Sequence, residues 1–319
     1  MTEALAPPAG DSFRHPILVT GAHRSGTTWV GKMLAAGSQA GYISEPFNVL
    51  HRPGVMITPV HHWYQYVCRE NEAEFLPGLL QTLHFRYHFL TEIRSLRSTH
   101  DLGRMCRDGW LFQRARLLKQ RPLLKDPFAF FSAPWLADRL DCQVVITVRH
   151  PAAFVSSLKR LDWPFDLRDL LAQPMLMRDM LEPYRADIER VSSDPGDSIG
   201  QNSLLWRIIY ALATEFVKDS PDILIVRHEV LSRQPVEGYR RLYQALGLKF
   251  TSRVQRKIMA SSSAENPKEL TRSLVHSVRL DSQANLDNWK RRLSQPEIDR
   301  IRSLTEDIAA LYYPDMDWV

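Results

Sequence analysis

The chain has 319 residues, of which 44% are hydrophobic and 24% charged, which is enough apolar content to bury a full core. Its net charge of +5 is a mild and dispersed excess, unlike the strongly basic faces of nucleic-acid-binding proteins. No run approaches the ~20 apolar residues of a membrane span, and the three cysteines are spaced for neither a disulfide framework nor a CxxC metal pair.

The first segment predicts a tail followed by a strand, a loop and a helix. Residues 1–14 are rich in proline and alanine and lack the apolar core of a signal peptide, so we expect a flexible tail before a single domain over 15–319. The apolar run 17–19 leads into Gly21, and apolar residues at helical spacing resume over 29–34. In such a loop the backbone N–H groups and the helix N-terminus converge on one point, which predicts a phosphate- or sulfate-binding loop.

The loop departs from the pattern of ATP- and GTP-binding loops. Gly21 and Gly26 have the spacing of that pattern, but Thr27 stands where its lysine is required. The cation lies inside the loop instead, at Arg24, and Ser25 and Thr27 add hydroxyl groups. This chemistry favours an anion bound without the lysine of an NTPase. A glycine-rich turn with no ligand is the alternative interpretation.

The segment after the first helix predicts a short strand and then an aromatic insertion. Residues 42–47 read Tyr-Ile-Ser-Glu-Pro-Phe, and a strand there would return Glu45 to the mouth of the loop. Residues 61–96 then predict about two helices, rich in aromatic and histidine side chains. These rings fit either core packing or the wall of a binding site. A metal site is disfavoured because no carboxylate or cysteine pattern accompanies the histidines.

A further strand is predicted to end before a basic residue. The apolar run 142–148 reads as a buried parallel strand that ends before Arg149. Pro151 suits the first turn of a following helix, which carries Ser157. An NTPase would place a metal-binding aspartate at such a strand end, whereas arginine binds phosphate directly through a bidentate fork. Arg149 therefore predicts a second anion contact at the carboxyl edge of the sheet, with a structural ion pair as the alternative.

The remainder of the chain predicts helices, one more strand and a loop. Residues 164–216 read as helices interrupted by a polar loop over 192–200, which is a candidate mobile lid. Residues 222–226 predict a strand, and the last helix opens at Ser294 with a capping-box pattern. We therefore expect one α/β domain with a central parallel sheet of four or five strands, flanked by helices and with helical insertions over the site.

Two motifs resemble those of the sulfotransferases that use 3′-phosphoadenosine 5′-phosphosulfate (PAPS). They read RSGTTW from Arg24 and RHPAAFVSS from Arg149. The resemblance implies that the first motif holds the 5′-phosphosulfate and that Arg149 and Ser157 hold the 3′-phosphate. It also implies that Trp29 stacks on adenine, with core packing as the alternative, and that residues 285–293 cover the cofactor. The residues so implied in cofactor binding are Arg24, Ser25, Gly26, Thr27, Thr28, Trp29, Arg149, Ser157, Trp289 and Lys290.

The same resemblance implies a catalytic base and two catalytic cations. Relative to Arg24, Glu45 lies where tyrosylprotein and several carbohydrate sulfotransferases carry a catalytic glutamate. Cytosolic members use a histidine, and this chain has the sequence KDP from Lys125 at the corresponding place. We therefore expect Glu45 to act as general base, unless it is structural, with Arg24 and Lys125 on the bridging and departing oxygens. The alternative bases are His23, His51 and Asp126.

These residues predict an enzyme that moves the sulfuryl group of PAPS to a hydroxyl or amine by in-line transfer. The glutamate base and the Ser-Glu-Pro segment resemble carbohydrate sulfotransferases somewhat more than cytosolic aryl ones, so the expected acceptor is a carbohydrate or glycosylated metabolite. The sequence leaves open a tyrosine, a lipid, a small metabolite or an amine as the acceptor, and we expect no metal and no nucleic acid. Golgi members normally carry a membrane span, and its absence from this sequence indicates a cytoplasmic enzyme. The missing lysine and aspartate argue against a P-loop kinase or NTPase. The presence of a candidate base argues against a non-catalytic nucleotide-binding protein. The sequence leaves the oligomeric state open.

Overall fold

A five-stranded parallel sheet forms the centre of the computed structural model, which describes residues 15–50, 52–163, 165–268, 279–313 and 318. Its strands are β1 Ile17–Gly21, β2 Ala40–Ser44, β3 Arg121–Lys125, β4 Gln143–Val148 and β5 Ile223–Arg227. They lie in the order β2-β3-β1-β4-β5, with β1 in the middle. The predicted central parallel sheet is therefore confirmed.

The register of the sheet brings the carboxyl ends of the strands to a common edge. Val19 of β1 and Ser44 of β2 are both paired with Lys125 of β3. On the other side of β1, Gly21 is paired with Thr147 of β4. The residues that follow these strands therefore stand side by side, at the position where open α/β sheets bind ligands.

Fifteen α-helices lie within the described ranges and surround the sheet. They are α1 Thr27–Leu34, α2 Glu72–Leu83, α3 Phe89–Ile93, α4 Thr99–Leu117, α5 Ala133–Leu140, α6 Pro151–Leu161, α7 Arg168–Leu171, α8 Pro174–Leu176, α9 Arg185–Ser192, α10 Ser198–Asp219, α11 His228–Arg233, α12 Pro235–Ala245, α13 Ser252–Ser262, α14 Asn288–Arg292 and α15 Gln295–Ala309. Short 3₁₀ turns at Pro127–Ala129 and Glu182–Tyr184 and a π turn at Met177–Leu181 complete them.

Two apolar layers, one on each face of the sheet, form the core. On one face Val19 packs in a cluster with Val30 of α1 and Ile258 of α13. On the other face Leu18 belongs to a larger cluster that includes Phe154 of α6 and residues of α10 and α15. Successive residues of a strand point to opposite faces, so β1 is buried throughout its length. The loop that follows β1 therefore starts from a rigid base.

The 61–96 insertion contains two helices, as its sequence predicts, and both lie in its later part. Residues 61–71 form turns and irregular segments, and α2 and α3 lie after them. The rings of the turn region pack on aromatic residues that are distant in sequence: Tyr64 meets Phe128 and Phe165 edge to face. These tertiary contacts decide the local conformation here, because they outweigh the weak helical preference of the segment.

Other local predictions agree more closely with the structure. Pro151 occupies the first turn of α6, and the predicted capping box of Ser294 and Glu297 opens α15. The polar loop between α9 and α10 is shorter than predicted, since only residues 193–197 separate the two helices, and Asp197 caps α10. Its role as a lid stays a prediction. No helix in the described ranges is long and apolar enough to cross a membrane, and the tail predicted over 1–14 lies outside those ranges.

Candidate active site

The carboxyl edge of the sheet carries the predicted site residues side by side. Glu45 follows β2, and Lys125 ends β3. Residues 22–26 join β1 to α1, and Arg149 follows β4. Because the strands lie in the order β2-β3-β1-β4, these groups form one line, which we call the edge row. It consists of an acid, a lysine, a glycine-bounded loop and an arginine.

The loop between β1 and α1 depends on two glycines in conformations that other residues rarely adopt. Gly21 has φ 130° and Gly26 has φ 99°. A Cβ on Gly26 would lie 2.6 Å from Nδ1 of His228, and one on Gly21 would lie 2.4 Å from the carbonyl oxygen of Thr147. Gly26 is the N-cap of α1 and offers no side chain to the first N–H groups of the helix. Those donors and the positive end of the helix dipole can therefore hold an anion.

Side chains from distant elements hold this loop in place. Tyr64 Oη accepts a hydrogen bond from the backbone N–H of His23 at 3.0 Å and lies 2.7 Å from its Nδ1. Tyr210 Oη accepts a hydrogen bond from the backbone N–H of Ala22 at 3.3 Å and donates one to the carbonyl of Thr147 at 2.8 Å. Ser25 Oγ lies 2.6 Å from Thr147 Oγ1. A loop fixed in this way loses little conformational entropy when a ligand binds.

The two arginines of the predicted phosphate motifs meet at the loop. The carbonyl oxygen of Arg24 accepts from Nη1 of Arg149 at 3.2 Å, and Nε of Arg24 donates to Oγ of Ser157 at 3.4 Å. Burial, and then the positive charge of Arg149, lower the pKa of Arg24 to about 10. Burial also lowers the pKa of Arg149. The charge of Arg149 thus acts on the buried Arg24 guanidinium, and a multivalent anion at this position could offset both the repulsion and the desolvation.

Glu229 of α11 anchors the backbone next to Arg149. Its carboxylate accepts from the backbone N–H of His150 at 3.0 Å and from the hydroxyl of Tyr313 at 2.8 Å. The charge of Glu229 raises the pKa of Arg149, against the larger effect of burial. The indole N–H of Trp206 donates to the carbonyl of Arg149 at 2.8 Å. The backbone at the start of α6 is therefore anchored, which orients the arginine before any ligand arrives.

Glu45 and Lys125 form an ion pair at the other end of the edge row. Nζ of Lys125 contacts Oε1 of Glu45, and Nδ2 of Asn48 donates to Oε2 at 2.7 Å. The backbone N–H of Glu45 also donates to the carbonyl of Lys125 at 2.9 Å. The Lys125 side chain is 3% exposed and that of Glu45 is 25% exposed, so the carboxylate is the group that solvent or a ligand can reach. Glu45 has φ 51°, a left-handed conformation that is uncommon for residues other than glycine.

The alternative bases differ from Glu45 in their surroundings. Asp126 is fully buried and accepts hydrogen bonds from two backbone N–H groups, at 2.6 and 2.9 Å. Burial, and then the charge of Glu45, raise the pKa of Asp126 to about 7. Burial lowers the pKa of His23 to about 3, and aromatic rings surround its imidazole. His51 lies outside the described residues. Among the described candidates, Glu45 combines a carboxylate with an open side.

The first turn of α1 carries three of the predicted cofactor residues. Thr27 and Thr28 open the helix; Thr27 is buried and Thr28 is partly buried. Trp29 is also partly buried and donates from Nε1 to Oγ of Ser261 at 3.0 Å. Its ring meets two other rings edge to face. The ring is therefore held by protein contacts, and its stacking on adenine stays a prediction.

The other predicted cofactor residues lie on α14. Trp289 is 4% exposed and stacks on His150, with ring centroids 5.1 Å apart and 14° between the planes. Lys290 is exposed, and its ammonium lies 5.6 Å from the centre of the Trp289 ring. Trp289 thus packs against the residue that follows Arg149, while Lys290 reaches the surface. Contact of either residue with a cofactor stays a prediction.

Sequence analysis missed the side chains that hold the site together. They are Asn48, Tyr64, Thr147, Tyr210 and Glu229. The bonds of Tyr64 and Tyr210 to the loop join residues 41 and 188 positions apart, and no local pattern encodes such pairs. Asn48 lies only three positions after Glu45. A polar residue this close to a strand-end acid is a local signal that could have predicted their hydrogen bond.

A family model identifies the family of this chain. The sequence model described as the sulfotransferase family matches residues 16–252. Among solved structures, the sulfotransferase domain from the Synechococcus PCC 7002 olefin synthase is 17% identical, with 97% of this chain and 98% of that chain covered and a TM-score of 0.49. The sulfotransferase domain from the curacin biosynthetic pathway is 16% identical, with 94% and 98% covered and a TM-score of 0.44. Mouse sulfotransferase SULT7A1, complexed with PAP, is 12% identical, with 95% and 86% covered and a TM-score of 0.46. No curated protein sequence matches the chain.

Proposed function

This chain belongs to the sulfotransferase family, and we propose that it transfers the sulfuryl group of PAPS to an acceptor hydroxyl or amine. The family match spans the whole edge row, from the loop after β1 to Arg149 after β4. Membership identifies the chain as a transferase. The donor, the acceptor and the roles of individual residues are our proposal, and the geometry of the edge row supports them.

The observation that carries the proposal is the contact between the two predicted phosphate motifs. The Arg24 carbonyl and the Arg149 guanidinium lie 3.2 Å apart, and the Arg24 guanidinium reaches Ser157. A ligand with anionic groups at two ends would touch the loop with one end and Arg149 and Ser157 with the other. PAPS has this form, because its 5′-phosphosulfate and 3′-phosphate lie on opposite sides of the ribose.

The residues present fit such a donor on chemical grounds. The N-cap at Gly26 leaves backbone donors uncovered by a side chain, and the same loop carries the cation Arg24, whose guanidinium contacts Ser157. At the other end Arg149 offers a planar fork that suits a phosphate dianion. The set contains cations and N–H donors, which bind phosphate and sulfate oxygens directly.

The proposed reaction assigns one task to each group of the edge row. PAPS supplies the sulfuryl group, whose bond to the 5′-phosphate oxygen breaks as the bond to the acceptor forms. Glu45 accepts the proton that the acceptor oxygen or nitrogen loses. Lys125, which lies between Glu45 and the loop, and Arg24 stabilise the negative charge that grows on the departing phosphate. Positioning and electrostatics therefore provide most of the rate enhancement.

We propose that the acceptor is a carbohydrate or a glycosylated metabolite. Aromatic rings lie near the loop: the ring centroids of Tyr64, Phe165 and Trp163 are 5.9, 6.0 and 6.4 Å from that of His23. Trp163 is 41% exposed, so part of an indole face is available for stacking against a sugar ring. His23 stays neutral near pH 7 because burial lowers its pKa to about 3, and it adds no charge that would demand an acidic acceptor.

The kinase and NTPase alternative lacks support in the geometry. Thr27 stands at the position of the Walker lysine, and β4 is followed by Arg149 instead of an aspartate. A simple nucleotide-binding role would leave Glu45 without a purpose beyond its ion pair with Lys125. We therefore retain sulfuryl transfer as the single proposed activity.

Calorimetric titration of 3′-phosphoadenosine 5′-phosphate (PAP) in chelator tests the proposal. We expect metal-free binding to the wild type that Arg149→Ala weakens by roughly 2–4 kcal/mol, the scale of lost charge-assisted contacts to a phosphate. Arg190→Ala, at an exposed arginine of α9, is the matched control and should bind PAP as the wild type does. Absence of PAP binding, or equal binding by the Arg149→Ala protein, would reject the assignment of the donor. Release of PAP from PAPS in the presence of candidate sugars then tests the acceptor.

A further inference from the structure

A second cluster of cations lies near the amino end of β2, whereas the edge row lies at the carboxyl ends of the strands. A cavity of about 330 Å³ is lined there by residues 35–39, which join the end of α1 to the start of β2. The rest of the lining comes from α4, from α13 and from the segment before α13. Its cations are Arg114, Lys249, Arg253 and Lys257. Because α1 starts at the phosphate loop and ends at this cavity, the two sites lie at opposite ends of the strands.

The positive charge of this cavity is not balanced by its lining. The lining residues include no aspartate or glutamate. Within the described ranges, none of the four cations forms an ion pair; Lys257 donates to the carbonyl of Ala36 at 2.9 Å, and Arg114 lies over the ring of Trp110. Burial lowers the pKa of Lys257, and the charges of Arg253 and Arg114 lower it further. These cations therefore repel one another, and an anion would remove that cost.

We propose that this cavity is a second anion site that binds a small molecule with two phosphate groups. A phosphate monoester carries about −1.5 to −2 charges near pH 7, so two phosphates match the four cations. The volume lies at the lower end of the range of small-molecule sites and exceeds what one phosphate needs. The first turn of α13, which is capped by Thr251 at the cavity, contains no acid and adds the positive end of a helix dipole.

The location of the cavity gives this second site a physical link to the proposed cofactor site. α13 begins beside the cavity and ends near Ser261, whose hydroxyl accepts from Nε1 of Trp29. The anion site itself rests on its own residues and does not depend on sulfuryl transfer. It would stand even if the donor or the acceptor proved to be different.

Titration calorimetry with sodium pyrophosphate, in chelator and at low salt, tests the site. We expect two binding events in the wild type, one at the phosphate loop and one at the cavity. The double variant Arg253→Gln/Lys257→Gln should weaken the second event about 10- to 100-fold, the scale of two partly exposed charge-assisted contacts. Arg256→Gln, on the same helix but outside the lining, is the matched control and should keep both events. Thermal melts check that each variant is folded.

The outcomes separate this proposal from the proposed function. Two unchanged events in the double variant would overturn the cavity site, and so would a single event that Arg149→Ala abolishes. Loss of one event in the double variant, with no change in the Arg149→Ala protein, would support the cavity and count against Arg149 as part of the donor site. Inorganic phosphate that binds the cavity as tightly as pyrophosphate would overturn the assignment to two phosphates.

Discussion

Replacement of Glu45 by glutamine separates a catalytic from a structural role for this residue. The glutamine keeps the length of the side chain and an oxygen that Lys125 can contact, but it cannot accept a proton. We expect kcat to fall about 10²- to 10⁴-fold, the usual contribution of a general base. PAP affinity should be unchanged or slightly tighter, because the substitution removes a negative charge beside the phosphate loop.

The structure also sets the expected cost in stability. Removing one partner of a buried ion pair costs about 3–5 kcal/mol, but a glutamine oxygen remains and Glu45 is 25% exposed, so we expect about 1–2 kcal/mol. For a chain of 319 residues that corresponds to a decrease in Tm of roughly 1–3 °C. Loss of the Glu45 charge should also lower the pKa of Asp126 from about 7, since that charge raises it now.

The assay is steady-state release of PAP at saturating donor, combined with calorimetry and thermal melts on the same preparations. Glu74→Gln, at an exposed glutamate of α2, controls for the loss of one surface carboxylate. Turnover within about tenfold of the wild type would refute Glu45 as the base, since a general base contributes at least about 10². Loss of PAP binding with the fold intact would instead show that Glu45 organises the donor site.

Three further predictions follow from the same geometry. Gly26→Ala should lower the free energy of unfolding by about 2–4 kcal/mol, because Gly26 has φ 99° and an added Cβ would meet His228. The control Gly103→Ala, in an open part of α4, should raise the free energy of unfolding by about 0.5–1 kcal/mol. Urea denaturation measures both changes. Burial lowers the pKa of His23, His150 and His228 to about 3 each, so below about pH 6.5 the unfolded chain binds more protons than the folded chain. The free energy of unfolding should therefore fall as pH falls towards 3, by up to about 1.4 kcal/mol per pH unit for each histidine. Urea denaturation at pH 7, 6 and 5 measures that slope, and stability that is flat or rises on acidification would contradict it. Sulfuryl transfer should be unaffected by EDTA, and loss of turnover that added Mg²⁺ restores would argue for a metal-dependent phosphotransferase.

The elements that carry the site were predictable because their signals are local. The apolar run 17–19 with Gly21 and the apolar run before Arg149 predict two parallel strands that end at the same edge, and the structure confirms both. The sheet order then makes neighbours of Glu45 and Lys125, which sequence analysis could only place separately. Short strands and helix starts are encoded by residues a few positions apart, so this part of the fold can be read directly.

The supports of the site were not predictable for the opposite reason. Tyr64 lies in a segment whose composition predicts helix, yet the residue stands in a turn and bonds the loop at His23. Glu229 follows the predicted strand 222–226 and belongs to no motif in the sequence, yet its carboxylate holds the backbone beside Arg149. These contacts form only after the sheet has brought distant segments together. No local periodicity in the sequence predicts which distant residues will meet.

Backbone strain in the edge row and at Tyr64, which bonds its loop, offers a further argument for function. Arg24, Glu45 and Tyr64 have φ values of 70°, 51° and 56°, and each such residue costs of order 1–3 kcal/mol relative to a relaxed conformation. Glycine at any of the three would relieve the strain, but it would remove the loop cation, the candidate base or the hydroxyl that anchors the loop. The fold tolerates these costs because surrounding hydrogen bonds fix each residue, as the backbone bond from Glu45 to Lys125 shows. Seven non-glycine residues in the described ranges have positive φ, and three of them are the loop cation, the candidate base and the tyrosine that anchors the loop, so strain at these three positions supports the proposed site.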